Sequence, residues 1–409
     1  MADQILFVIN SLAGGGAERV MATLLRHSEG RRSRYRMALA LLDDEPSAYA
    51  APDWVPLHRL ASGGGLARSA FRLRALVRET RPDLVFSFLT RANVAACFAV
   101  AGTGIPFVIS ERVNTRAHLP RGLAGRASRA MVRLTYPRAR RVIAVSHGVA
   151  DDLSAGFSVP SERIRVLANP VDGDLIRQRS RDAEVVPPDG PYAVAMGRLV
   201  PNKNFALLID AFAEAGIPGR LVILGEGPER EALERRVEAH GLRDRILLPG
   251  FLENPFPVIA AASCYVLPSN AEGFPNGLVE AMALGVAVIS TDCPSGPAEI
   301  LGRRPRADLV GLGCAAHGLL VPCDDRDALA AGLRHYQDPM IRRYYAKAAS
   351  ARAEDFSVAA SVAGYWDVIE RALEPGSRPG TSSRPDPISP GSASATRADE
   401  PSPCIRPAR

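Results

Sequence analysis

Ser269-Asn270-Ala271-Glu272-Gly273-Phe274-Pro275-Asn276-Gly277-Leu278-Val279-Glu280-Ala281-Met282 is the stretch on which the reading of this chain turns. It follows an apolar run, Ser263 to Pro268, that reads as a short buried strand. Gly273, Pro275 and Asn276 break the regular pattern, and from Gly277 the spacing is helical, with Leu278, Met282 and Val286 along one side. The segment is therefore strand, loop, helix. Asn276 is the expected N-cap, its side chain accepting from a free backbone N–H of the first turn. That turn offers unpaired N–H groups and the positive end of a helix dipole, a setting for an anion such as a diphosphate. Glu280 lies about one turn in, where a carboxylate accepts two hydrogen bonds from a cis-diol such as a ribose. Glu272, in the preceding loop, is in reach of the other end of the same ligand.

Taken alone, two glutamates with seven residues between them also suit a capped surface helix carrying solvated acids. The longer run from Pro268 to Asp292 is more specific: it resembles the donor-site signature of retaining glycosyltransferases of family 4, of GT-B architecture. The resemblance is strong over the C-terminal half and looser over the N-terminal half. It implies an α/β chain of two doubly wound Rossmann-like domains facing a cleft. It also implies a donor loop of Gly273, Phe274, Pro275, Asn276, Gly277, Leu278 and Glu280, with Glu272 at the reacting sugar.

Outward from this stretch, the length of 409 residues suits two domains rather than one. A hydrophobic content of 47% with 23% charged residues is typical of globular proteins. No apolar run reaches the roughly 18 residues of a membrane-spanning helix. The N-terminus lacks a basic region before its short apolar run and is not expected to be a signal peptide. The six cysteines form no CxxC pair and no zinc-site spacing; Cys97, Cys264 and Cys293 lie in apolar stretches and read as buried thiols of a reducing cytosol.

Ile5 to Asn10 reads as a strand, Ser11 to Gly16 as a glycine-rich loop and Ala17 to Arg26 as a helix, the opening of a doubly wound domain. The loop fails the dinucleotide fingerprint, because Arg19 stands where GxGxxG needs its third glycine. Strand-like runs at Arg36–Leu42, Asp83–Leu89, Phe107–Ser110, Arg141–Ser146 and Arg165–Leu167 alternate with helical patterns such as Leu66–Thr80 and Val94–Ala101. A charged linker, Arg179 to Pro191, leads to a second series starting with Tyr192–Met196. The expected division is an acceptor-side domain over 1–185, a nucleotide-sugar domain over 186–355, a helix crossing back within 356–374, and a tail over 375–409. That tail, rich in Pro, Ser, Gly and Arg, cannot bury enough surface to order itself. Asp172-Gly173-Asp174 matches a DxD metal pattern but follows a strand and turn, so it reads as loop and no metal site is expected.

Arg198 and Lys203 follow the first strand of the second domain, at the carboxyl ends of the strands where ligands bind in such sheets. Negative charge grows on a departing diphosphate, and fixed cations in a dry site stabilise it. The segment resembles the diphosphate-binding motif of the family. By the same resemblance Gly15 and Gly16 lie against the donor diphosphate, Gly227 lines the nucleotide pocket, and Phe251 and Leu252 meet the base. On the acceptor side, Arg91, Glu111 and Arg112 end strands of the first domain and are expected to face the cleft. Many family members carry a histidine where Thr90-Arg91 stands, and His118 is the replacement candidate.

The reading is a glycosyltransferase that moves a sugar from a UDP-sugar to a glycan acceptor; the resemblance implies that it is retaining and metal-independent, and no cofactor is expected. No catalytic base stands out, which fits the front-face mechanism proposed for the family. The run from Asp292 to Ile300 resembles members that use UDP-hexosamines, so an N-acetylhexosamine is preferred to GDP-mannose. The rivals are a GT-B sugar-nucleotide epimerase, which needs no acceptor, and an inactive nucleotide-sugar-binding protein, which the intact set Arg198, Lys203, Glu272 and Glu280 argues against.

Between Arg112 and Arg141 arginines recur without an intervening Asp or Glu. On a helix, Leu119, Leu123, Ala127, Met131 and Leu134 fall on one face and Arg126, Arg129 and Arg133 on another. The stripe either packs on the first domain or forms a membrane-surface element. Resembled enzymes hold polyprenyl-diphosphate acceptors with such arginines, so the expectation is a peripheral protein on the cytosolic membrane face. There it would dock on anionic lipid and grip a lipid-linked acceptor. Nucleic acid is not an expected partner, since no aromatic interleaving or known motif accompanies the charge.

Overall fold

The computed structural model describes residues 2–119, 122–302 and 309–374, so the expected tail and Arg121 lie outside the described residues. The first sheet has seven strands: β1 Asp3–Ile9, β2 Tyr35–Leu41, β3 Leu57–Arg59, β4 Leu84–Phe88, β5 Phe107–Glu111, β6 Arg141–Ala144 and β7 Ile164–Val166. The second has seven more: β8 Tyr192–Met196, β9 Arg220–Leu224, β10 Ile246–Gly250, β11 Cys264–Leu267, β12 Val288–Thr291, β13 Gly313–Ala315 and β14 Gly318–Val321. Their orders are 3-2-1-4-5-6-7 and 10-9-8-11-12-14-13. All pairings are parallel except β13 with β14. The central strands are continuous apolar runs buried on both faces, as helix-covered parallel sheets require.

β3 and β13 leave no apolar run in the sequence, because each is a three-residue edge strand with only part of its surface covered. After β8, a 3₁₀ turn over Pro201–Lys203 and a left-handed Asn204 lead into a helix that starts at Phe205. Asp172 caps the Gly173–Arg179 helix by accepting from Leu175 N at 3.0 Å, and Asp174 pairs with Arg177 at 2.8 Å. Among the described residues no group of three or more His, Cys, Asp or Glu could hold a metal ion, and no helix is long and apolar enough to cross a membrane.

Strand order reverses between β1 and β4, and again between β8 and β11. The loops leaving these four strands therefore border the crevice at each switch point. The last helix, Val358–Leu373, packs on the first sheet's layer, where Tyr365, Trp366 and Ile369 join Phe7, Phe86 and Phe88. Tyr365 stacks on Phe88 at 5.9 Å, and Trp366 Nε1 donates to Ser28 Oγ at 2.8 Å.

The basic segment forms two helices, Thr115–His118 and Gly122–Thr135. The apolar stripe is split between the two alternatives: Leu119 and Met131 pack against the core of the domain. Gly125, Val132 and Thr135 turn inward, while Leu123 is 82% and Leu134 50% exposed. The three inward residues set the contacting side. The arginines do not make one free face either. Arg126 is exposed, Arg129 is half-buried, and Arg133 Nε donates to the Gly156 carbonyl at 2.9 Å.

Candidate active site

The donor loop runs from the end of β11 into the Asn276–Ala283 helix. Pro275 occupies the N-cap position and Asn276 is the first helical residue, so the expected Asn276 cap is not made. The Asn276 amide crosses the cleft instead, its Oδ1 accepting from Asn169 Nδ2 at 2.6 Å. Asn169 Oδ1 in turn accepts from the Arg112 guanidinium. The first helix of the chain, Gly16–Arg26, begins opposite: a Cβ on Gly16 would come 2.7 Å from Asn276 Nδ2. Two helix N-termini thus face each other across the cleft, and their free N–H groups and dipoles favour the same anion.

Lys203 and Glu272 are brought together, with Nζ 2.5 Å from Oε1. The Glu272 loop is held by Ser295, a left-handed residue whose Oγ donates to the Glu272 carbonyl at 2.6 Å. Glu280 is buried on its helix, and Arg19 of the first domain donates to its Oε1. Tyr265 on β11 lies beneath both glutamates; burial and then the charges of Glu280 and Glu272 hold its phenol well above the usual range. Gly277 must be glycine here, because a Cβ would sit 2.6 Å from Tyr265 Oη. Gly273 likewise backs onto the Arg112 carbonyl, too close for any side chain. Arg198 is exposed, after β8. Gly15 is the N-cap of the first helix.

Other expected donor residues have structural roles. The Phe274 ring packs edge-on against Phe356 at 5.3 Å, and Leu278 lies in the core, so neither side chain faces a ligand. Gly227 packs on the backbone of Leu199, which leaves it no room for a side chain. Phe251 is exposed after β10, while Leu252 is half-buried against the core.

The acceptor-side expectations need more correction. Arg91 is paired with Asp43 and does not reach into the cleft as a free cation. Glu111 is wholly buried and takes hydrogen bonds from Tyr136, Thr90 (3.2 Å) and Arg112 N (3.0 Å); burial raises its pKa. It ends a strand as expected, but the side chain turns into the domain. Arg112 is buried too, over the Phe88 ring and bonded to Asn169 and Tyr365, so it ties the returning C-terminal helix to the first domain. The side chain of His118 lies outside the described residues.

Three contributors escaped the sequence reading. Arg19 registers in sequence only as a missing glycine, yet it meets Glu280 across 261 positions. Asn169 is a turn residue by composition and an inter-domain bridge in space. Glu299 accepts from the backbone N–H groups of His147 (2.7 Å) and Gly148 (2.8 Å), so the His147–Phe157 helix N-terminus of one domain binds a carboxylate of the other.

Residues 14–175 match the family model described as Glycosyltransferase Family 4, and residues 176–352 match Glycosyl transferases group 1. The N-acetylgalactosamine-N,N'-diacetylbacillosaminyl-diphospho-undecaprenol 4-alpha-N-acetylgalactosaminyltransferase of Campylobacter jejuni is 30% identical over 361 residues, covering 85% of this chain and 94% of that protein. The chain belongs to glycosyltransferase family 4. A second Campylobacter jejuni enzyme, the GalNAc-alpha-(1->4)-GalNAc-alpha-(1->3)-diNAcBac-PP-undecaprenol alpha-1,4-N-acetyl-D-galactosaminyltransferase, is 26% identical over 87% of this chain and 95% of its own. Among solved structures, Anabaena HepE in complex with UDP and glucose superposes with a TM-score of 0.72 at 21% identity, covering 90% of this chain and 99% of that one. Sucrose-phosphate synthase from Thermosynechococcus elongatus gives 0.76 at 18%, covering 90% and 98%. The family 4 glycosyltransferase described here thus has the GT-B fold, and the epimerase reading gives way to a transferase.

Proposed function

We propose that this glycosyltransferase moves an N-acetylhexosamine from a UDP-sugar to a lipid-linked glycan, with retention of anomeric configuration and without a metal or other cofactor. The observation that carries this reading is the convergence of the Lys203–Glu272 pair and the buried Glu280 on two facing helix N-termini. Glu280 accepts from the ribose hydroxyls, sharing its carboxylate with Arg19. The helix N-termini, Lys203 and Arg198 take the diphosphate charge, which is the role a metal would otherwise fill. Glu272 addresses the sugar.

In the step itself, the bond from anomeric carbon to phosphate oxygen breaks and its electron pair stays on the diphosphate. The acceptor hydroxyl oxygen bonds the same carbon on the face the diphosphate leaves, and its proton passes to the leaving phosphate oxygen. The Campylobacter jejuni relatives named for N-acetylgalactosaminyl transfer to undecaprenyl-diphosphate glycans support the sugar and the acceptor class, and the UDP complex of HepE supports the nucleotide. An acceptor of that kind places the working enzyme at a membrane surface.

The test is thermal stabilisation by a panel of UDP-N-acetylgalactosamine, UDP-N-acetylglucosamine and GDP-mannose, followed by transfer to a polyprenyl-diphosphate glycan with the product anomer read by NMR. A true donor at a hundredfold its Kd stabilises by about 2.7 kcal/mol. Stabilisation by GDP-mannose alone, or an inverted product, overturns the reading.

A further inference from the structure

The first domain carries a second recess, at the amino ends of its strands, the end of the sheet opposite the cleft. It is a groove of about 800 Å³ where the approaches to β5 and β6 meet the ends of the Thr90–Val100 and Gly122–Thr135 helices. Phe98, Phe107 and Leu134 give it apolar walls, and Arg138, Arg141 and Arg163 line it with positive charge. Two of these arginines donate to backbone carbonyls: Arg163 bonds Pro137 (2.7 Å) and Ala139 (3.3 Å), and Arg141 reaches Glu162 O at 3.5 Å. Burial and then the charges of Arg371, Arg140 and Arg163 lower the pKa of Arg141, with Asp367 opposing them. Crowded cations beside an apolar wall suit a ligand with an anionic head and a hydrocarbon body.

The surface beyond the groove points the same way. Phe98 also borders an apolar hollow of about 340 Å³ shared with Leu66, Phe71 and Met131. Phe71 is 76% exposed, and the outward stripe of Leu123 and Leu134 continues this face. The Gly122–Thr135 helix has 14 residues, a length of about 21 Å. It starts after the loop that leaves β5 at the cleft and ends beside the groove. One apolar face therefore runs from the cleft mouth to the arginines.

We propose that the Arg138/Arg141/Arg163 groove binds the headgroup of an anionic phospholipid of the bilayer, with Phe98 and Leu134 against its chains, and so lays the Gly122–Thr135 helix along the membrane. The inference rests on the membrane-borne acceptor proposed above and adds the contact that holds the cleft mouth at the lipid surface.

The test uses the full chain and no acceptor. Wild type is sedimented with phosphatidylcholine vesicles and with vesicles that also contain phosphatidylglycerol, beside Arg138→Glu and Leu134→Glu variants. Each unit of charge removed near an anionic surface weakens binding about fivefold, so Arg138→Glu should lose about twenty-fivefold. Water-soluble dihexanoyl-phosphatidylglycerol should raise the melting temperature of wild type and not of Arg138→Glu, and inorganic phosphate should raise neither. Stabilisation by UDP, which is proposed to bind in the cleft and not in this groove, checks that the variants are folded; its absence from wild type counts against the donor reading and leaves this one standing. The proposal is overturned by wild type that ignores phosphatidylglycerol vesicles, by equal binding to both vesicle types, or by folded variants that sediment as wild type does. Stabilisation by inorganic phosphate overturns it too, in favour of a free-anion site.

Discussion

Removing either partner of the Arg19–Glu280 pair should have unequal consequences, and the inequality tests the assignment of Glu280 to the ribose. The Glu280 side chain is 3% exposed and that of Arg19 is 35%. Arg19→Ala leaves a buried carboxylate with its cation gone, at a cost of about 3 kcal/mol. Glu280→Ala leaves a guanidinium that is already one-third in water and rehydrates, so its cost should be nearer 1 kcal/mol. In the free protein the melting temperatures should rank wild type, Glu280→Ala, then Arg19→Ala, with each 1 kcal/mol worth roughly 2–4 °C. UDP binding should rank differently. Glu280→Ala leaves the ribose diol without its acceptor and should weaken UDP by about 1–3 kcal/mol, while Arg19→Ala keeps the carboxylate and should retain affinity. Calorimetric titration with UDP beside thermal melts reads both orders. UDP binding by Glu280→Ala at wild-type strength would refute the ribose assignment, and equal losses in the two variants would show that the pair acts as a unit.

Lys203→Ala and Arg198→Ala should each lower kcat by about 10²–10³-fold with smaller changes in KM, because their charge matters most as the diphosphate departs. A raised KM at constant kcat would reduce them to ground-state contacts. Transfer should persist in excess EDTA; loss of activity restored by Mg²⁺ or Mn²⁺ would refute metal independence. Asp43 gives a pH signature. Its hydrogen bond from Arg91 holds the carboxyl below its ordinary value of 3.8, so the stabilisation is complete above that value and is lost as pH falls through the lowered one. The difference in melting temperature between wild type and Arg91→Ala should therefore shrink below about pH 4; a difference that grows on acidification would contradict the pairing.

Local chemistry made much of this protein legible in sequence. A buried parallel strand needs a continuous apolar run, and a helix that follows it needs a 3.6-residue stripe, so the alternation from Ile5 to Val321 declared an α/β chain. The loop from Glu272 to Glu280 stood out as a candidate donor site because its glycines, proline and acids all lie within a few residues of one helix start. Lys203 and Glu272, 69 positions apart, could be joined only through resemblance to a family motif. Tertiary structure decided the rest, for one reason: a polar group shows its type in sequence but not its partner. Glu111 and Arg112 looked like cleft residues at strand ends, yet burial turned one toward Tyr136 and the other toward Asn169 and Tyr365. Phe274 belonged to the donor motif, but only the returning chain supplies Phe356 for its ring. The helix after Gly122 had an apolar stripe by spacing, but which of its residues meet the domain depends on the surface it packs on. Gly125 took the inner side and left Leu123 and Leu134 in the open.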